Sequence, residues 1–198
     1  FGGFPQALYD QQYPAPGAPA VAETLARELK SPATGQPLGV DASEWGLDHG
    51  TWSVLKPMSP RADIPVLQLS MDYSRAPSEH YALGQQLRAL RNRGVLIVGS
   101  GNIVHNLRAL RRDVPDNQAY DWAQAFDAAI QQQIAKGQLD ALQKFQSLGD
   151  IARLSHPTHD HFLPLLYAAG AAAPNEVPRF FNTGFQAASI SMRSVLWG

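Results

Sequence analysis

The chain has 198 residues, of which 44% are hydrophobic and 17% charged, with a formal net charge of −1. At this length it forms a single domain most economically, residues 1–198, burying about 70% of its unfolded surface. No run of one sign gives a nucleic-acid footprint or an acidic tail. The absence of cysteine excludes disulfides, cysteine nucleophiles and thiolate metal sites. Any metal must then be held by the six histidines and the carboxylates. No apolar run approaches the roughly 20 residues that span a bilayer, and the first residues lack the charged and apolar regions of a signal peptide. A cytoplasmic protein acting on a small molecule fits this balance, with neither nucleic acid nor membrane as partner.

In chain order, residues 1–18 are rich in Gly, Pro and Tyr and read as a turn-rich surface segment. Val21, Leu25 and Leu29 share one helical face, with Pro19 near the start. Residues 64–70 read as a buried strand. Leu83, Leu87 and Leu90 have the spacing of an amphipathic helix that Gly94 ends. Val95-Leu96-Ile97-Val98 is a continuous apolar run, the pattern of a strand buried on both faces of a parallel sheet. Phe126, Ile130 and Ile134 mark another helix, and Phe162, Leu165, Leu166 and Ala169 one more. The segment from Arg179 to Trp197 is β-prone and sufficient for two strands. This alternation predicts an α/β fold, a three-layer sandwich with a mainly parallel or mixed central sheet between helices.

Three segments carry candidate chemistry. In the first, the run 95–98 empties into Gly99-Ser100-Gly101-Asn102 and then His105-Asn106, at an expected helix start. Ligands of open α/β sheets sit beyond the carboxyl ends of strands, which favours a catalytic His105, although a core histidine bonded to backbone has the same local sequence. Gly99-x-Gly101 is half of a dinucleotide fingerprint, but Val104 stands where the third glycine is needed and no ribose-binding acid follows at the expected distance of about 20 residues. The second segment is Trp45-Gly46-Leu47-Asp48-His49-Gly50-Thr51-Trp52. Here Asp48 could orient His49 while Trp45 or Trp52 walls an aromatic substrate; alternatively, Asp48 and His49 belong to a capped helix start.

The third segment, Ser155-His156-Pro157-Thr158-His159-Asp160-His161, has three histidines in six positions. With Thr158 as an N-cap, positions 159 and 161 would point differently from one another. His161, next to the apolar stripe, is then the inward candidate, and His156 and His159 are expected at the surface. His80 is also expected at the surface.

Together these motifs resemble the DOPA 4,5-dioxygenase branch of the class III extradiol ring-cleavage dioxygenases. The matching stretches, in order, are Phe1-Gly2-Gly3-Phe4-Pro5, Trp45 to Trp52, Pro65 to Ser70, Ser100 to Asn106, Tyr120-Asp121-Trp122-Ala123, His161-Phe162-Leu163-Pro164-Leu165-Leu166-Tyr167 and Ser189 to Ser194. The resemblance implies a non-haem Fe(II) enzyme that opens the ring of DOPA or a related catechol with O2; bacterial members can be isolated with zinc. It implies His161 as a metal ligand and His105 as a second ligand or the acid/base. It also implies His49 as an active-site histidine; Trp45, Trp52 and Asn106 are further candidate substrate contacts. Two metal histidines of the family lie in His-Gly-Ser-Pro and Ser-Ala-His-Trp motifs, and neither motif occurs in these 198 residues. A site limited to one strong ligand and its neighbours would retain metal poorly. A zinc hydrolase on the same scaffold and an inactive relative serving as a binding module are the competing readings. Zinc alone cannot pass electrons to O2, having no accessible redox change. Oligomeric state has no signature in the sequence.

Overall fold

The computed structural model describes Gly3, residues 5–41 and residues 46–198. Trp45 lies outside the described residues. The chain falls into two compact units, residues 1–30 with 36–70, and residues 31–35 with 71–198. No helix among the described residues is long and apolar enough to cross a membrane.

The first unit holds helices α1 (Gln6–Tyr9), α2 (Pro19–Glu28) and α3 (His49–Met58). Pro19 occupies the first turn of α2, where its missing N–H removes no helical bond. The unit is tied together mainly by polar links. Tyr13 Oη donates to Ser59 O at 2.9 Å, Lys56 Nζ donates to Gln11 Oε1 at 2.6 Å, and Val66 N donates to Pro16 O at 2.9 Å. Of its described hydrophobic residues, only Leu29 and Ala62 are buried. The strand expected at 64–70 is not formed, and Ile64 is 59% exposed.

The second unit carries the core. Helices α4 (Pro77–Arg91), α5 (Asp121–Ala135), α6 (Asp150–Ser155) and α7 (Leu163–Ala171) surround a kinked 3-10 segment, Leu139–Leu148. The apolar stripes expected on α4 and α5 are the buried ones: Leu83, Leu87 and Leu90 on one, Phe126, Ile130 and Ile134 on the other. Phe126, Ile130 and Ile134 meet Phe145, Phe162 and Leu166 in one cluster, to which α4 contributes Tyr81. Helix α7 is buried on nearly every side and approaches α4 through glycine. A Cβ on Gly84 would stand 2.5 Å from Tyr167 O, and one on Gly170 would collide with Tyr81 O.

Four short strands follow: β1 (Arg179–Phe181), β2 (Phe185–Gln186), β3 (Ile190–Ser191) and β4 (Ser194–Leu196). They form two antiparallel pairs, β1 with β4 and β2 with β3. Residues 95–98 form no strand, and Leu96 is 67% exposed. An apolar run becomes a buried parallel strand only when neighbours supply ladder partners on both sides. No such ladder forms among the described residues.

Two histidines expected at the surface are instead in the core. His80 is 3% exposed, its Nδ1 meeting the Tyr167 hydroxyl at 2.8 Å. His156 is also 3% exposed and is ringed by Phe126, Phe145 and Phe162. Its Nε2 lies 2.6 Å from Ile103 O, so Nε2 carries the proton. His159 is half-buried against Phe145. The physical reason is that one N–H given to a distant carbonyl lets a neutral imidazole enter an apolar core, and sequence spacing does not show that partner.

Two expectations follow. Gly84→Ala should force α4 away from α7 and cost about 1–3 kcal/mol, measured by chemical denaturation. Burial pulls the His156 pKa down from 6.5 to about 4, with the Ile103 carbonyl opposing. The unfolded chain takes up this proton near the ordinary value and the folded chain only near the lower one. The stability is therefore complete above about pH 6.5 and falls by on the order of 3 kcal/mol as the pH drops to about 4. The buried His80 is shifted in the same direction and adds to the effect. Denaturation midpoints across this window should fall in wild type and fall less steeply in His156→Gln; parallel profiles would contradict the assignment.

Candidate active site

The segment 102–106 is where the candidate chemistry converges. Helix α6 ends at Ser155, and its last carbonyls have no intrahelical donor. The 105–106 loop supplies donors: His105 N gives a hydrogen bond to Ser155 O at 3.0 Å, and Asn106 Nδ2 gives one to Leu154 O at 2.7 Å. On its other side the loop pairs with the C-terminal region. His105 and Ile190 form an antiparallel bridge, with Ser191 N donating to Val104 O at 3.0 Å and Asn106 N to Ser189 O at 3.2 Å. The helix start expected here is a single 3-10 turn, Leu107–Ala109, capped by Asn106 Oδ1. Asn106 is thus 7% exposed and bonded to backbone through both ends of its amide, which points to holding the loop rather than contacting substrate.

The same loop meets the residues before α7. Asn102 N donates to His161 O at 2.9 Å. A Cβ on Gly101 would overlap that carbonyl, and one on Gly99 would overlap Pro164 O. Gly99-x-Gly101 therefore serves backbone-to-backbone packing, where a dinucleotide fingerprint would present its glycines to phosphate. Helix α7 starts at Leu163, with Pro164 in its first turn, and not at Thr158. Residues 159–161 are in a turn, so helical geometry does not govern which way His161 points.

His105 and His161 stack face to face, with ring centroids 3.5 Å apart and planes 8° from parallel. Burial, then the neighbouring His161, push the His105 pKa below its ordinary value, while Asp160 opposes them. Asp160 Oδ2 stands 3.6 Å from His161 Nε2, and its Oδ1 is buried without a hydrogen-bond partner. Burial works to raise the Asp160 pKa, but the Thr158 hydroxyl and the His161 charge outweigh it and hold the carboxyl below the ordinary range. Asp160 was not singled out among the sequence candidates; its place between two histidine candidates is the only signal that marks it.

The pair does not fit a metal shared between both rings. Imidazole lone pairs lie in the ring plane, and Zn–N bonds are about 2.0–2.1 Å long. An ion at that distance from two parallel planes so far apart would sit well out of at least one of them. Nor does any group of three His, Asp or Glu residues among those described converge on a possible ion position.

His49 and Trp52 belong to the first unit. His49 opens α3, and Asp48 is its N-cap, with Oδ1 accepting from Thr51 N at 3.0 Å and Thr51 Oγ1 at 3.1 Å. This is the capped helix start weighed above. His49 and Trp52 face a cavity of about 290 Å3, with Tyr9 and Tyr13 also on its wall. That volume accommodates a single aromatic ring.

Residues 1–191 match the family described as the catalytic LigB subunit of aromatic ring-opening dioxygenase. A protein of Escherichia coli K12 named 4,5-DOPA dioxygenase extradiol is 43% identical across the whole chain, which covers 72% of that protein. One of the same name from Beta vulgaris is 36% identical, over 98% of this chain and 71% of its own length. The crystal structure of an uncharacterized protein from Escherichia coli K12 superposes with a TM-score of 0.83 at 38% identity, covering 95% of this chain and 76% of the other. By sequence and by fold, this chain belongs to the LigB family of aromatic ring-opening dioxygenases.

Proposed function

We propose that the substrate is a catechol, DOPA or a close relative, opened beside its diol with O2, and that residues 1–198 serve as one catalytic domain. The observation that carries this reading is the His105–His161 stack, in a chain matched to the family over residues 1–191. LigB dioxygenases are non-haem metal enzymes; Fe(II) is the metal proposed for activity, with Zn(II) as an alternative bound ion. His161, with Asp160 beside its Nε2, is the proposed ligand. Parallel planes allow only one of the two rings to ligate at a time, so His105 is assigned to proton transfer.

Burial and the His161 ring keep His105 neutral near neutral pH. A neutral imidazole can accept a catechol hydroxyl proton and return it later, a role that typically contributes 10²–10⁴-fold to rate. His49 and Trp52, on the wall of the first unit's own cavity, are proposed to contact an aromatic ring there.

With full-length, iron-loaded protein, L-DOPA should give a yellow ring-opened product with one O2 consumed per ring. His105→Phe should lower kcat by about 10²–10⁴-fold, and His161→Ala should reduce bound iron. No O2 uptake after verified iron loading would count against the proposal, whereas O2-independent turnover with zinc would favour a hydrolase.

A further inference from the structure

We propose that His156 is a positioning residue: its Nε2–H, given to Ile103 O, holds the loop that carries His105 in register with His161. The inference rests on the reading of His105 and His161 as the ring-opening site, and it concerns a side chain buried behind that site.

Segment 102–106 is pinned at Asn102 by the bond to His161 O and at His105 by the bond to Ser155 O. Between these points Val104 O is held from one side by Ser191 N. Ile103 O is held from the other side by His156 Nε2, a side-chain contact that crosses from the 154–161 segment to this stretch. At 2.6 Å that bond is short for N–H···O. The histidine is also an expensive way to fill its space. Three phenylalanine rings surround it at 5.2–6.2 Å, and its Nδ1 is buried with no partner, an unfavourable arrangement. A phenylalanine would fill the cage without that cost. What the imidazole adds is one directed donor, aimed at the carbonyl two residues before His105. Because rings stacked at 3.5 Å lose contact with a small shift of either backbone, the donor acts on the geometry of the pair without touching substrate.

The test compares His156→Phe, which keeps the ring and removes the donor, with His156→Gln, whose amide N–H reaches the position of Nε2. The full-length iron-loaded enzyme is used for kinetics. The metal-free protein with labelled histidine rings is used for NMR, reading ring-current shifts and inter-ring contacts of His105 and His161. His156→Phe should lose the stacked signature and lower kcat by about tenfold or more, with KM within about twofold. His156→Gln should restore the signature and bring kcat to within about threefold of wild type.

An intact stack with wild-type kcat in His156→Phe overturns the proposal. So does a His156→Gln variant as impaired as His156→Phe, since packing would then be the whole role. If His156→Phe does not fold, the stack in His156→Gln decides: retained it supports the donor role, lost it refutes it. If the wild type opens no catechol ring, the functional reading fails, while the NMR comparison still tests the positioning.

Discussion

The backbone seam at 102–106 is the constraint on which the site depends. This short stretch is the middle strip of a sandwich in hydrogen bonds. On one side are the unsatisfied carbonyls of α6 and the His161 carbonyl; on the other is the 189–191 segment. Each neighbour supplies what the strip lacks. Helix α6 needs donors at its end, and a loop without its own helix or ladder has them to give. The glycines at 99 and 101 permit the approach, because a side chain there would strike the carbonyls of Pro164 and His161 respectively. Two histidines 56 positions apart by number thereby come into ring contact.

Electrostatics then limit what the pair can be. Two imidazolium rings face to face would repel at short range, so the stack tolerates at most one charge, and burial disfavours even that on His105. Asp160 Oδ2 stands at the edge of the stack, 3.6 Å from His161 Nε2. Behind the seam, a second polar arrangement anchors the C-terminal strip. Asp127, 2% exposed on α5, accepts from Ser191 Oγ at 2.6 Å and from Arg193 Nε and Nη2 at 2.9 and 2.6 Å. Ser191 O in turn accepts from Asn102 Nδ2 at 2.9 Å. The carboxylate is fully engaged, the condition under which a buried charge is tolerated. It connects the main helix of the core to the strip that flanks His105.

Much of this was legible in the residues. The helical stripes of α4 and α5 follow from the 3.6-residue period, and Gly94, at φ 77°, stops α4 where a left-handed residue is needed. His105 and His161 stood out because each borders an apolar run. What was not legible depends on partners distant in sequence. The runs at 64–70 and 95–98 have strand composition, but a strand exists only in a ladder, and composition does not show whether one is present. His80 and His156 look like surface residues until Tyr167 and Ile103 O are seen beside them. Thr158 has the chemistry of an N-cap, yet Pro164 at the first turn of α7 places the helix start later. Asn106, next to a candidate catalytic histidine, has a polar side chain spent on backbone, a distinction that only coordinates make.

The seam also dictates an order of assembly. Its bonds join residues 48, 53 and 89 positions apart, and closing such loops carries an entropic cost that local helices do not meet. During synthesis α4 and α5 can form as soon as they emerge, but the strip beside His105 has no inner neighbour until 154–161 is made and no outer one until 189–191 follows. The candidate histidines thus come into register only once residue 191 has been made. Until then the 102–106 backbone has polar groups without partners, so the candidate site closes later than the helices that flank it.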